Sequence, residues 1–233
     1  MDNTAQAGLD QLQRFSPLLY DLQNHFLQVR TLAEMATIDG AALSEIELIS
    51  KHALIALDYA LFAVEAMQTQ LPFTSVSAAA AARDVTENLR LLAKAYDVEL
   101  SLDITKTLEP VYANEAALRG ALYSLASSLI INRQTGKKRP KVVVVAQETT
   151  PQTQRLGVYS PDIMMPSSAL KLARSLAYRA RFVAPQDLHH SGLGLIVSDQ
   201  LTQALGSRLK WFTHRGQRGI GFYVPMSGQL GFL

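Results

Sequence analysis

The run His189-His190-Ser191-Gly192-Leu193-Gly194-Leu195 carries the residue types and spacing best suited to chemistry in this 233-residue chain. Two glycines one residue apart, followed by Leu195, Ile196, Leu201 and Leu205, predict a glycine loop opening into a helix. The first N–H groups of such a helix lack intrahelical acceptors and sit at its positive end, which suits a phosphate. A tight turn is the plainer reading of the same residues. Adjacent His189 and His190 do not favour one metal ion on a regular element and are read as loop residues. No metal site is expected.

Several structural layers must position that loop, and the composition provides for them. With 48% hydrophobic and 18% charged residues, the chain can build one large core or two modest ones without staples. It has no cysteine, which excludes disulfides, thiolate nucleophiles and zinc–thiolate sites and fits a reducing, cytoplasmic setting. The polar N-terminus lacks the basic-then-apolar order of a signal peptide. Asp58 and Glu65 interrupt the most apolar segment, His52 to Met67, so no membrane insertion is expected. A net charge of +2 gives no global pull toward nucleic acid, and Lys137, Lys138, Arg139 and Lys141 beside Gly136 and Pro140 read as a solvated loop.

Residues 8 to 36 predict a helix that packs against other helices. Leu12, Leu19, Phe26 and Ala33 repeat every seven residues, as do Phe15, Leu22, Val29 and Ala36. Pro17 predicts a kink or a restart with Ser16 as cap. After Thr37-Ile38-Asp39-Gly40, a second long helix is expected from Ser44 to Gln70. Its apolar positions Ile46, Ile49, Leu54, Leu57, Leu61, Val64 and Met67 cover more than one stripe, which calls for a partner hairpin and a homodimeric four-helix bundle.

Beyond a linker at residues 71–76 the pattern changes to an α/β two-layer domain over residues 77–233. Helices are expected at Ser77 to Tyr96, after Asn114 as cap, at Ser167 to Tyr178 and from Gly192 to Ala204. Strands are expected at Val98 to Ile104, Val111 to Ala113, Lys141 to Gln147 and Arg155 to Tyr159. Arg208 to Thr213 and Ile220 to Val224 read as a closing hairpin joined by Arg215 to Gly219. The fold class is α+β: a helical hairpin over residues 1–70, then a two-layer sandwich with a mixed or antiparallel sheet.

This order of elements resembles the sensor histidine kinases of two-component signalling, in which a dimerising hairpin precedes a Bergerat-type ATP-binding domain. The likeness covers nearly the whole chain. It is carried by Glu87-Asn88-Leu89-Arg90-Leu91-Leu92 before a strand and by Asn114-Glu115-Ala116-Ala117-Leu118-Arg119 opening the central helix. Ser191-Gly192-Leu193-Gly194-Leu195 resembles the family's last glycine box, and Gly219-Ile220-Gly221-Phe222 its terminal hairpin.

The resemblance also implies positions for the chemistry, and there the chain departs from the pattern. Tyr20-Asp21-Leu22-Gln23-Asn24-His25 matches the phosphoacceptor run, with Tyr20 in the place of the histidine. A phenol with a pKa of about 10 is a poor nucleophile near neutral pH, whereas an imidazole accepts a phosphoryl group there. His25 lies roughly 140° around the helix from Tyr20 and reads as a packing histidine, as does His52. The family's magnesium-binding asparagine run is matched by Ser124-Leu125-Ala126-Ser127-Ser128-Leu129, with serines at both asparagine positions. A hydroxyl is a weaker oxygen ligand than an amide carbonyl. Val158 aligns with the adenine-reading aspartate, and both glycines that follow it in the family are absent. Lys171, Arg174, Arg179 and Arg181 read as the wet face of a helix.

The resemblance therefore implies a degenerate histidine-kinase-like dimer that works by binding a response regulator or partner kinase. Tyr20, Asp21, Gln23 and Asn24 are its candidate partner-binding residues. Ser128 and the run Ser191, Gly192, Leu193, Gly194 and Leu195 form a phosphate cradle. No cofactor is expected beyond weak ATP and magnesium. The alternative is an active ATP-dependent kinase or phosphotransfer protein using His25.

Overall fold

The computed structural model describes residues 22, 24–25, 27–29, 31–32, 40–105, 107–131, 139–162, 168–178 and 192–228. Tyr20, Asp21, Gln23 and Ser191 lie outside the described residues, as do Pro17, Lys137, Lys138, Arg179, Arg181, His189 and His190. The residues described between 22 and 32 are helical.

The elements then run α1 (Gly40–Gln68), β1 (Thr74–Val76), α2 (Ala78–Ala95), β2 (Glu99–Ile104), β3 (Val111–Ala113) and α3 (Glu115–Ile131). They continue with β4 (Lys141–Thr150), β5 (Thr153–Tyr159), α4 (Ala169–Tyr178), α5 (Gly192–Ala204), β6 (Lys210–His214) and β7 (Gln217–Pro225). Side chains start the helices where the sequence places caps. The Ser77 hydroxyl accepts from the Ala80 N–H at 3.2 Å, and Asn114 Oδ1 accepts from Ala117 N–H at 3.0 Å. Within the 71–76 segment, Thr74–Val76 pairs antiparallel with β3.

Five strands form a mixed sheet in the order β2-β4-β5-β7-β6. β2 runs parallel to β4 and the other pairs are antiparallel. Alternation along the strands sends Val142, Val144, Leu156, Val158, Ile220, Phe222 and Val224 into the main core, which α2, α3 and α5 cover. Val143 and Val145 point the other way and join Tyr159 and Phe212 in a small second core. Both faces of β4 are thus buried, which is why it reads as an unbroken valine run.

Glycines allow that second core to form. A Cβ on Gly219 would lie 2.3 Å from the Tyr159 ring, so the ring rests directly on bare backbone. Across the same face, His214 Nε2 and Asp103 Oδ2 are 2.8 Å apart, tying β6 to β2 although these strands are the two edges of the sheet. Arg215 adds a second contact to the same carboxylate at 3.1 Å. The closing hairpin is tighter than the sequence predicts. Its turn is only Arg215-Gly216, at φ 47° and 77°, and Gln217 to Gly219 already belong to β7. Two positive φ values give the mirror-image turn whose twist matches the strands, and arginine in the first place hides it from a glycine search.

Helix α1 does more than the hairpin reading foresees. Ile49, His52, Ala60, Ala63 and Ala66 are buried, and α1 packs on α3 and α5. Part of its surplus apolar surface is thus covered by the chain's own α/β layers. Leu43, Leu54 and Leu61 face outward at 59%, 60% and 48% exposure.

Candidate functional site

The glycine run opens α5 at Gly192, as its spacing predicts. Gly192 to Leu195 form the first turn, whose amides lack intrahelical acceptors. Leu195 is buried in the core and fixes that turn on the sheet, while Leu193 is half-buried.

Gly194 is the contact residue. A Cβ there would fall 2.4 Å from the Ser124 carbonyl oxygen, 2.6 Å from Ser128 Cβ and 3.0 Å from Ser128 Oγ. The backbone of α5 therefore lies against α3 at its two serines, closer than any side chain permits. One turn on, Ser198 Oγ donates to the Ala121 carbonyl at 2.8 Å and repeats the tie. The structure thus brings Ser128 and Gly194 together as a close helix–helix contact. Beside that contact the first-turn amides of α5 lack intrahelical acceptors, and they are neutral donors of the kind that suit an anion. Among the described residues no three histidine, aspartate or glutamate side chains cluster as a metal site.

The end of β5 differs from the alignment of Val158 with an adenine-reading carboxylate. Val158 is fully buried in the helix-side core. Two residues later Ser160 directly follows the last residue of β5 and is buried, its backbone N–H donating to the Arg218 carbonyl at 3.1 Å. Its hydroxyl accepts from the Asp162 N–H at 3.1 Å, and Asp162 Oδ2 accepts from the Lys141 N–H at 3.4 Å. Period-2 alternation was the signal available in the sequence: residues 156, 158 and 160 share one side.

Arg174 is not on a wet face. Its guanidinium meets Asp199 Oδ1 at 3.2 Å and donates to the Leu209 carbonyl at 2.6 Å. Gln203 Nε2 adds a third donor group, to Asp199 Oδ2 at 2.8 Å. Asp199 is fully buried, so this network holds α4 to α5 by surrounding a desolvated carboxylate. Asp199, the one charged residue of α5, was the overlooked signal. Lys171, by contrast, is exposed.

A further polar contact joins the two parts of the chain. His52 Nδ1 on α1 lies 2.5 Å from the Tyr123 hydroxyl on α3, and the Tyr59 ring sits 5.3 Å from that of Tyr123. Burial, with a smaller effect from Lys51, pulls His52 down to about 4, and burial pushes the Tyr123 phenol up. A neutral imidazole and a protonated phenol result, the pairing a dry site favours. Of the acceptor segment, Asn24 is helical and exposed and His25 helical and half-buried. No described helix is long and apolar enough to cross a membrane.

No family model matches the chain, and no curated protein matches it. Solved structures do. The histidine kinase AdeS of Acinetobacter baumannii superposes with a TM-score of 0.53 at 16% identity, over 89% of this chain and 98% of that one. Full-length ShkA in complex with AMPPNP gives 0.55 at 18% identity, covering 94% of this chain and 45% of ShkA. The catalytic domain of histidine kinase ThkA, in a nucleotide-free form, gives 0.52 at 13% identity, over 67% of this chain and 97% of the domain. Likeness at these identities is a likeness of fold, and the chain has the α/β fold of histidine kinase catalytic domains.

Proposed function

We propose that this protein is a histidine-kinase-like module of two-component signalling that works by binding, as a homodimer docking a response regulator or a partner kinase, without phosphorylating itself. The observation that carries this reading is the contact of Gly194 with Ser124 and Ser128. It sets the opening of α5 against the α3 segment where the family resemblance places magnesium-binding asparagines, and this chain has serines at both positions, whose hydroxyls are weaker oxygen ligands for magnesium. Val158 in the core and Ser160 just after β5 supply no carboxylate for a base. Tyr20 at the acceptor position supports the same conclusion from the sequence, because its phenol is a poor phosphoryl acceptor near neutral pH. The exposed leucines of α1 are an apolar surface suited to dimerisation, and Tyr20, Asp21, Gln23 and Asn24 are the candidate partner-binding residues on the sequence alone.

The test is calorimetric titration of the full chain with ATP and magnesium, followed by incubation with labelled ATP. The expected result is no binding at micromolar nucleotide and no acid-labile label. Micromolar binding together with label lost in His25→Ala would replace this reading with that of an active enzyme using His25.

A further inference from the structure

The groove between α3 and α5 is filled by the chain's own α1, and the fit is specific. A Cβ on Gly120 of α3 would lie 2.6 Å from Tyr59 Cδ1 and 2.8 Å from Leu201 Cδ1. The Tyr59 ring and Leu201 therefore meet over one bare stretch of α3 backbone. Around it Ala60, Ala63 and Ala66 present small side chains, which lets the α1 backbone come close. The Tyr123 hydroxyl and His52 Nδ1 close the joint with a buried hydrogen bond across the two helices. A helix merely tethered beside a domain has no need of an obligatory glycine, three buried alanines and a buried polar pair on one line of contact.

Leu54 stands two residues from His52, about 200° around the helix, and Leu61 stands two residues from Tyr59 in the same way. The outward leucines are thus fixed on the side of α1 away from the joint, and the orientation of that face follows from the docking of the opposite one.

We propose that α1 is a permanently docked part of the α/β layers and not an arm on which they swing, so that the α/β fold serves here as a mount holding the leucine face of α1 at a set angle. A swinging unit requires a wet, polar and easily separated contact. This one is dry, and opening it exposes the apolar surface of a glycine-backed groove to water and breaks the buried histidine–tyrosine hydrogen bond. The joint stands on its own geometry. Only the occupant of the leucine face rests on the dimer reading above.

Hydrogen exchange on the full chain at neutral pH tests the mount. Amides of α1 between Ile49 and Ala66 are expected to be protected to within about tenfold of those in α3, since both open in one cooperative unit. Tyr59→Ala, which empties the seat on Gly120, is expected to speed exchange in α1 and α3 together by about tenfold or more, whereas a rise confined to α1 would mark a separable arm and overturn the proposal. Gly120→Val is the second route to the same loss. Wild-type α1 exchanging about a hundredfold faster than α3, or no response to Tyr59→Ala, would overturn the proposal. The double variant Leu54→Glu/Leu61→Glu separates the two readings when paired with sedimentation. Protection retained in a monomer supports the mount, whereas protection lost together with the leucine face assigns it to the bundle and overturns the mount. A wild-type chain that sediments as a monomer with α1 still protected counts against the dimer alone.

Discussion

His52 Nδ1 and the Tyr123 hydroxyl lie 2.5 Å apart across 71 residues of sequence, and the pair is buried. The folded chain holds His52 neutral, with a pKa of about 4 against its ordinary 6.5. Between those values the unfolded chain binds more protons than the folded one. The histidine's contribution is therefore complete above about pH 6.5 and is lost as pH falls toward 4, with a ceiling of roughly 3 kcal/mol. Urea unfolding at pH 7.5 and 4.5 should show a larger acid loss for wild type than for His52→Gln. Equal losses would rule the pair out as the acid-labile contact.

Two tyrosines give a matched comparison. The Tyr123 hydroxyl has His52 as partner, whereas the Tyr159 hydroxyl is buried with no hydrogen-bond partner among the described residues. Burial pushes Tyr159 up to about 12. Tyr123→Phe should cost about 1–3 kcal/mol because it strands His52, and Tyr159→Phe should be neutral or slightly stabilising because it removes an unpaired group. Chemical denaturation of the two variants decides the matter. A Tyr159→Phe loss as large as that of Tyr123→Phe would show that this hydroxyl has a partner.

The Gly194 contact yields a sharp expectation. Gly194→Ala drives a Cβ into the Ser124 carbonyl and Ser128, and neither backbone nor a buried side chain yields cheaply. The loss should be about 1–3 kcal/mol, a fall in Tm of roughly 2–12 °C for a chain of this size. Gly40→Ala is the control, since nothing lies within 4 Å of that position. Differential scanning calorimetry on both variants suffices, and equal Tm values would contradict the packing described.

Removing Arg174 should be among the most damaging single changes. Arg174→Ala leaves the fully buried Asp199 carboxylate with Gln203 but without its cation, at a cost of about 3–5 kcal/mol. Arg174→Met combined with Asp199→Leu should recover most of that loss, because no charge is then left buried. An additive double variant, measured by urea unfolding, would show that the two residues do not act as a pair.

Much of the fold was legible because its signals are local. The glycine pair gave the start of α5, Asn114 gave the start of α3, and the alternation of Val98 to Ile104 gave β2 to within one residue. What escaped depends on partners distant in sequence. Ala60, Ala63, Ala66 and Gly120 read as ordinary helix residues until two helices are brought together. Arg174 looks like surface charge until Asp199 is found beneath it. The same holds for the candidate site: the helix N-terminus was readable in the chain, but the depth of Val158 in the core and the position of Ser160 beyond it follow from the register of β5 on β7.

The contact of Asp103 with His214 spans 111 residues and joins the two ends of the sheet order, so it forms only after the intervening strands have paired. Closing so long a loop gains nothing early in folding and belongs on the native side of the transition state. Weakening this tie would hasten unfolding and leave the folding rate almost untouched. This cross-sheet contact therefore bears on how long the folded chain lasts more than on how fast it assembles.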